Sequence, residues 1–465
     1  MLFNSLEFLF GFLPIAYVVF WTLRSTRARY VWLTLSGYVF YGWWDPRFCL
    51  LMAFSTLVSY AAGLGMLRSP VGSRARKLCL VIPITVDLAL LGFFKYTNFA
   101  LESARGAAHV MGVQLEIPHL DIVLPIGISF YTFHTITYIV DSYRGVIRPT
   151  KNLWEFATYV SLFSQLVAGP IVRFRQIEED LEAIGTQSRT RWLGRGISFF
   201  CIGLIEKVLI ADTLAALVDP SFADWQHLST GGAWFATLGY TFQLLFDFSG
   251  YSTMAVGLGY LFGIRIPQNF NSPYKARNPS DFWARWHISL SSCLRDYLYV
   301  PLGGNRQSTA KTYRNLMLTM LFGGLWHGAS WTFVFWGAYH GLLLVIYRLF
   351  SGTWDRVAVP MQRAMTFSAV VVGWVFFRST SFSMALGVLH KLVVPTSGQV
   401  FTGVNMTVAA LTMGVAAVWS MAGKNACELS HDWTPSRRMG LAAAAGAALA
   451  LIATARPSPF LYFQF

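Results

Sequence analysis

Charged residues are scarce in this chain, 12% of 465, against about 25% in soluble globular domains. Acids are scarcer than bases: 22 Asp and Glu stand against 36 Lys and Arg, for a formal net charge of +14. That poverty of charge, beside so much apolar residue, excludes a disordered chain, a coiled coil or an ordinary soluble domain. Cysteine is rare too. Cys49, Cys79, Cys201, Cys293 and Cys427 form no close pair, so neither a disulfide framework nor a zinc site is indicated, and no metal is expected. The P-loop, the dinucleotide fingerprint, the GxSxG elbow and HExxH are missing as well. What is abundant is apolar: 55% hydrophobic residues, 16% aromatics, 17 Trp and 38 Phe. A large polytopic membrane protein remains.

The basic residues do not gather on one polar face or tail, as they would in a nucleic-acid binder, and no nucleic acid is expected. They punctuate apolar runs instead. Runs of spanning length lie at 8–23, 30–45, 49–67, 78–94 and 121–140. Arg24, Arg27 and Arg29 follow the first run, Arg68, Arg74, Arg76 and Lys77 the third, and Arg144, Arg148 and Lys151 the fifth. Basic loops face the cytoplasm, which predicts an N-terminus outside. No basic residue precedes Arg24, so the first run reads as a retained helix rather than a cleaved signal. Further runs lie at 155–171, 197–219, 234–264, 315–347, 365–377, 402–421 and 439–455. Arg437 and Arg438 precede the last, which predicts a C-terminal tail outside. The expectation is one membrane domain over 1–465, all-α, with roughly 10–12 transmembrane helices and some re-entrant or interfacial ones. No internal repeat or soluble linker domain is evident.

Two segments fit lipid poorly. Residues 264–314 hold Arg265, Lys275, Arg277, Arg285, Arg295, Arg306, Lys311 and Arg314 against Asp281 and Asp296. Within them Trp283, Trp286, His287, Leu290 and Leu294 recur at helical spacing, and Pro279-Ser280 suits a helix start. Four charges between Asp281 and Pro301 would cost on the order of 12 kcal/mol across lipid, at roughly 3 kcal/mol each. Such a helix lies at the interface or lines a polar cavity. The second segment, Asn315 to Tyr347, has no charged residue and would be about 50 Å long as one helix, against a hydrocarbon core of about 30 Å. A break is easiest at Gly323-Gly324 or Gly328, with His327 between them. Irregular backbone at membrane depth needs protein or water beside it, and a ring nitrogen there needs a polar partner, although a packing histidine is the commoner case. His340, about 1300° of helical rotation later, falls on another face and reads as structural. His134, among Thr132, Thr135 and Thr137, reads as a maker of interhelical hydrogen bonds. Gly259 and Gly263 form a GxxxG, a sign of close helix packing. Glu206-Lys207 reads as interfacial, with no chemistry implied.

Six ordered blocks carry a resemblance: LPIGISFYTFHTITYIVDSYRG from Leu124, QLVAGPIVRF from Gln165, FDFSGYSTMAVGLGYLFGIRIPQNFNSPY from Phe246, FWARWHISLSSCLRDYLYVPLGGNR from Phe282, LFGGLWHGASWTFVFWGAYHG from Leu321 and FLYFQF from Phe460. Together they resemble the membrane-bound O-acyltransferases, in the bacterial branch that holds the membrane subunit of alginate O-acetylation. The resemblance covers residues 1–350 and the tail; 351–455 match more in hydropathy than in motif. It implies helices tilted around a central funnel or pore, a catalytic core over about 121–350, and a C-terminal helix and tail over 439–465. The family's signature histidine maps onto His327 and the second, more variable one onto His287. Further implications are acetyl-CoA as a cytoplasmic donor with no permanently bound cofactor, a bacterial inner-membrane location, and a periplasmic SGNH-type partner that passes acetyl to a polysaccharide.

The residues suit that chemistry. An alcohol needs a general base to attack a thioester at neutral pH, and imidazole titrates in the useful range. His327 is assigned as the base. His287 either orients the acceptor or stabilises charge developing on the thioester oxygen. Lys275, Arg285, Arg295 and Arg306 would attract the anionic phosphates of CoA, though a positive-inside loop would look the same. Tyr462, in the tail expected outside, has a phenol of pKa near 10, better activated than a sugar alcohol. It could relay the acetyl group, or anchor the last helix as part of an aromatic belt. His134, Ser164 and Ser292-Cys293 depart from the family's usual residues, which leaves the acceptor open: alginate, cellulose, a cell-wall glycan or a lipid, or D-alanine as cargo. A non-enzymatic transporter or flippase is the rival class.

Overall fold

A computed structural model of the chain describes residues 1–114, 118, 120–400, 405–431, 437–454 and 461. Among the described residues the structure is helical, with π and 3-10 turns and no strand beyond one bridge between Leu228 and Gln399. This is the all-α architecture expected from the composition. Phe48–Arg68, Arg74–Val110, Trp331–Trp354 and Val359–Arg378 are four helices long and apolar enough to cross a bilayer. They carry exposed Leu50, Phe54, Ile82 and Leu342, side chains that lipid accepts and water does not. Other runs are interrupted. The run expected at 121–140 turns helical only at Ile128, after Gly127 at φ +82°, and the one at 155–171 ends before Gly169-Pro170, as proline requires. The chain divides into two compact units, residues 1–193 with 258–266, and 194–257 with 267–465.

In the first unit, helix Thr26–Gly42 starts on Ser25, whose Oγ accepts from the Ala28 amide at 3.1 Å, satisfying an otherwise orphaned donor. It lies so close to Leu153–Ser161 that a Cβ on Gly37 would sit 1.8 Å from the Ser161 carbonyl oxygen. Asp87 ties three helices together, accepting from Ser55 Oγ and Thr135 Oγ1 at 2.6 Å each; a buried carboxyl demands such partners. His134 does not take the part expected of it. Neither ring nitrogen has a hydrogen-bond partner among the described residues. The ring packs 5.6 Å from Tyr159, and Thr135 next to it makes the interhelical bond instead. The GxxxG at Gly259 and Gly263 is likewise no packing motif. Gly263 has φ +78° and the Ile264 amide donates back to the Gly259 carbonyl at 2.8 Å, a helix-ending turn.

In the second unit the close crossing of Leu193–Ile205 with Thr230–Leu261 uses other glycines. A Cβ on Gly203 would lie 2.4 Å from the Gly250 carbonyl oxygen, and one on Gly257 2.8 Å from that of Gly196. Backbone thus meets backbone. The crossing sets the π turn Glu206–Ala211 beside Asp247 and Ser249. Lys207 Nζ lies 2.5 Å from Asp247 Oδ1 and 2.6 Å from Asp212 Oδ1, and Ser249 Oγ donates to Glu206 Oε2 at 3.0 Å. Glu206 and Lys207 are therefore buried, not interfacial as their isolated charges suggested. The other carboxylate oxygen of Asp247 accepts from the Leu461 amide at 3.0 Å.

Candidate active site

The apolar run 315–347 breaks where its length requires. Helix Thr309–His327 ends on His327, Gly328 is extended, and Trp331–Trp354 follows. The two helices fold back tightly, since a Cβ on Gly324 would lie 2.3 Å from the Phe333 carbonyl oxygen and one on Gly337 2.4 Å from that of Met320. A Cβ on Gly328 would strike the Phe333 ring at 2.2 Å. Glycines at these three places put His327 at the tip of a helical hairpin, buried.

His287 arrives by a route its spacing does not reveal. The expected continuous helix is two, Pro279–Arg285 and Ile288–Leu294. Between them Trp286 is extended and His287 is left-handed, φ +43° and ψ 55°, a conformation rare outside glycine. Residues 269–271 hold this break in place. The Asn271 amide donates to the Arg285 carbonyl at 3.0 Å and the Ile288 amide to the Asn269 carbonyl at 2.9 Å. Asn269 Oδ1 accepts from Ser289 N at 3.0 Å and Ser289 Oγ at 2.9 Å, and lies 3.2 Å from His287 Nδ1. Asn269 thus serves the first turn of the second helix, whose amides lack helical partners.

The two histidine rings come together, with centroids 6.4 Å apart, inside an aromatic enclosure. Phe248 lies 4.7 Å and Trp326 5.8 Å from His287, and Trp336 lies 5.1 Å and Phe377 5.2 Å from His327. Such a shell excludes water and raises the strength of any polar interaction within it. Phe270, 6.4 Å from His287, also lines a cleft of about 30 Å³ with Glu206, Ser249 and Asn425. His340 lies on the helix that follows the break, not on that of His327. Its ring packs 4.8 Å from Trp336 and 5.2 Å from Trp283.

The four candidate donor-binding cations also fall in this unit, already engaged in part. Arg285 Nε bonds Asp281 at 2.7 Å and its Nη1 the Asn271 carbonyl at 3.2 Å. Arg295 pairs with Asp296 at 2.8 Å. Lys275 Nζ donates to the Gly423 carbonyl at 2.8 Å and lies 3.7 Å from Glu428. Arg306 is exposed. These carboxylates offset part of the positive charge counted along the sequence. Tyr462 lies outside the described residues, but its neighbour Leu461 is buried and bound to Asp247, one residue before Phe248 of the enclosure. Sequence reasoning missed Asn269 and Asp247; the asparagine in NFNSPY and the acid in FDFSG were legible only as letters within blocks.

The sequence model of the membrane-bound O-acyltransferase family matches residues 122–387, a range that includes both histidines and Asn269. The chain belongs to the membrane-bound O-acyltransferase family. It is 47% identical over 390 residues, 83% of this chain and 73% of the relative, to the probable alginate O-acetylase AlgI of Pseudomonas aeruginosa. It is 37% identical to the peptidoglycan O-acetyltransferase of Helicobacter pylori, over 84% of this chain and 80% of that one. The teichoic acid D-alanyltransferase of Bacillus subtilis is 29% identical over 56% of this chain and 68% of its own length. As a member of this family the chain is an integral-membrane O-acyltransferase, and the transporter alternative falls away.

Proposed function

We propose that this O-acyltransferase takes acetyl from cytoplasmic acetyl-CoA and delivers it across the bacterial inner membrane for O-acetylation of an exopolysaccharide of the alginate type. Both termini face the periplasm, where an SGNH-type partner completes transfer to the polymer. The observation that carries the reading is the pair of buried histidines with ring centroids 6.4 Å apart, in a chain 47% identical to a probable alginate O-acetylase. In the transfer step the acceptor oxygen attacks the thioester carbonyl as His327 takes the hydroxyl proton. The carbon–sulfur bond then breaks and the thiolate leaves to be protonated. Lys275, Arg285, Arg295 and Arg306 contribute attraction for the CoA phosphates. Tyr462 serves as the acyl relay, a reading supported by the hold of Asp247 on the adjacent Leu461.

The test is acetyl-CoA turnover by the purified protein. His327→Ala lowers the rate about 10²–10⁴-fold, the share of a positioned acid–base group, and an unchanged rate removes His327 from the mechanism. Tyr462→Phe abolishes polymer acetylation while leaving thioester hydrolysis in place; unchanged polymer acetylation removes the relay. A cell-wall glycan acceptor is the second reading, favoured by the 37% identity to a peptidoglycan O-acetyltransferase. Acetyl content of exopolysaccharide and of peptidoglycan in a deletion strain separates the two.

A further inference from the structure

We propose that Asn269 is a positioning residue that holds His287 with its proton on Nδ1, so that Nε2 presents a lone pair, and no N–H, to the acyl-transfer site. The proposal rests on the reading that His287 belongs to the acyl-transfer site, and it decides between the two tasks open to that residue.

The two ends of an asparagine amide are told apart only by their hydrogen-bond partners. A backbone N–H can only donate, so the Asn269 atom 3.0 Å from the Ser289 amide is the oxygen. An amide oxygen can only accept, so His287 Nδ1, 3.2 Å from that same atom, carries the hydrogen. Neutral imidazole has one N–H, which leaves Nε2 bare. Nε2 is buried and has no hydrogen-bond partner among the described residues, a condition that is costly unless a donor fills it. The left-handed backbone at His287 and the Phe248 ring 4.7 Å away restrict the ring, and Asn269 sets both its tautomer and the chain break that carries it.

A neutral His287 in this tautomer cannot donate from Nε2 to a thioester oxygen that is gaining charge. It can accept from an O–H or N–H beside the attacking hydroxyl, whose own hydrogen goes to His327. His287 therefore orients the acceptor, and stabilisation of the thioester oxygen falls to other groups. No bond to His287 forms or breaks in this role.

Two measurements test the proposal. In protein labelled with 15N-histidine, with the His287 signals assigned by their loss in His287→Gln, Nδ1 gives the protonated signature and Nε2 the unprotonated one. The reverse pattern overturns the proposal. In the transfer assay, Asn269→Asp keeps an oxygen for both Nδ1–H and the Ser289 amide and retains activity within a few-fold. Asn269→Leu loses about tenfold or more, as removal of an orienting partner does, in kcat for transfer with KM for acetyl-CoA unmoved. Asn269→Leu protein as active as wild type overturns it, and so does an Asn269→Asp protein as impaired as Asn269→Leu. Failure of the underlying reading looks different. Full activity in His287→Ala removes the histidine from the site whatever its tautomer, whereas an inactive His287→Ala with a protonated Nε2 in wild type sinks the tautomer alone.

Discussion

Replacing Lys207 by methionine tests what holds the second unit together. Lys207 Nζ is shared between Asp247 at 2.5 Å and Asp212 at 2.6 Å, and Lys207 and Asp247 are almost wholly enclosed. Methionine fills most of the same volume, so little of the effect comes from a cavity. What changes is charge: two carboxylates lose their cation, and one of them has no water to turn to. Breaking a buried pair by removing one partner costs about 3–5 kcal/mol, a large share of a total stability of order 5–15 kcal/mol. Asp247→Asn on top of Lys207→Met removes the unpaired buried charge while keeping an oxygen for the Leu461 amide, which it receives at 3.0 Å in wild type. The double variant therefore recovers at least half of the loss. The assay is thermal unfolding of detergent-purified protein by tryptophan fluorescence, with monodispersity followed by size exclusion. The reasoning is refuted by a Lys207→Met protein as stable as wild type, or by additive losses in the double variant, since a shared electrostatic cause requires strong coupling between the two sites.

Three other substitutions probe separate contacts. Gly37→Ala forces a methyl group to within 1.8 Å of the Ser161 carbonyl oxygen, so the two helices must part; a loss of about 1–3 kcal/mol appears as reduced folded yield and an earlier melt. Thr135→Val removes one of the two hydroxyls on Asp87 and costs about 1–3 kcal/mol, while Ser142→Ala on the same helix, whose hydroxyl has no partner among the described residues, changes the melt much less. His340→Phe keeps the ring contacts with Trp336 and Trp283 and leaves acetyl-CoA turnover within a few-fold of wild type; a loss as deep as that of His327→Ala places His340 among the reacting groups.

The features legible in the sequence are those that a local pattern dictates. Apolar runs separated by Arg and Lys disclosed an all-helical membrane protein, and the excessive length of 315–347 disclosed the break beside His327. Helical spacing misled at His287, because the interruption there is imposed by backbone bonds from Asn269 and Asn271, some 14–19 positions earlier. Periodicity describes the faces of a helix and is blind to a strand-like segment that competes for its amides. The same blindness hid Glu206 and Lys207. Two adjacent charges in an apolar run look like a surface, unless one knows that a glycine crossing brings Asp247 and Ser249 against them. For His340 the arithmetic of rotation was sound, but it assumed one helix where there are two.

The bond between Asp247 and Leu461 spans 214 positions of chain. At a synthesis rate of about 5–20 residues per second, Asp247 emerges about 10–40 s before its second partner exists. Lys207, 40 positions earlier, is already made by then and can neutralise the carboxylate in the interval. One oxygen of Asp247 is thus served early and the other only after 214 further positions have been made. Attachment of Leu461 to the helix that carries Phe248 becomes a late step in maturation, and a nascent chain halted before residue 461 carries both histidines without that bond.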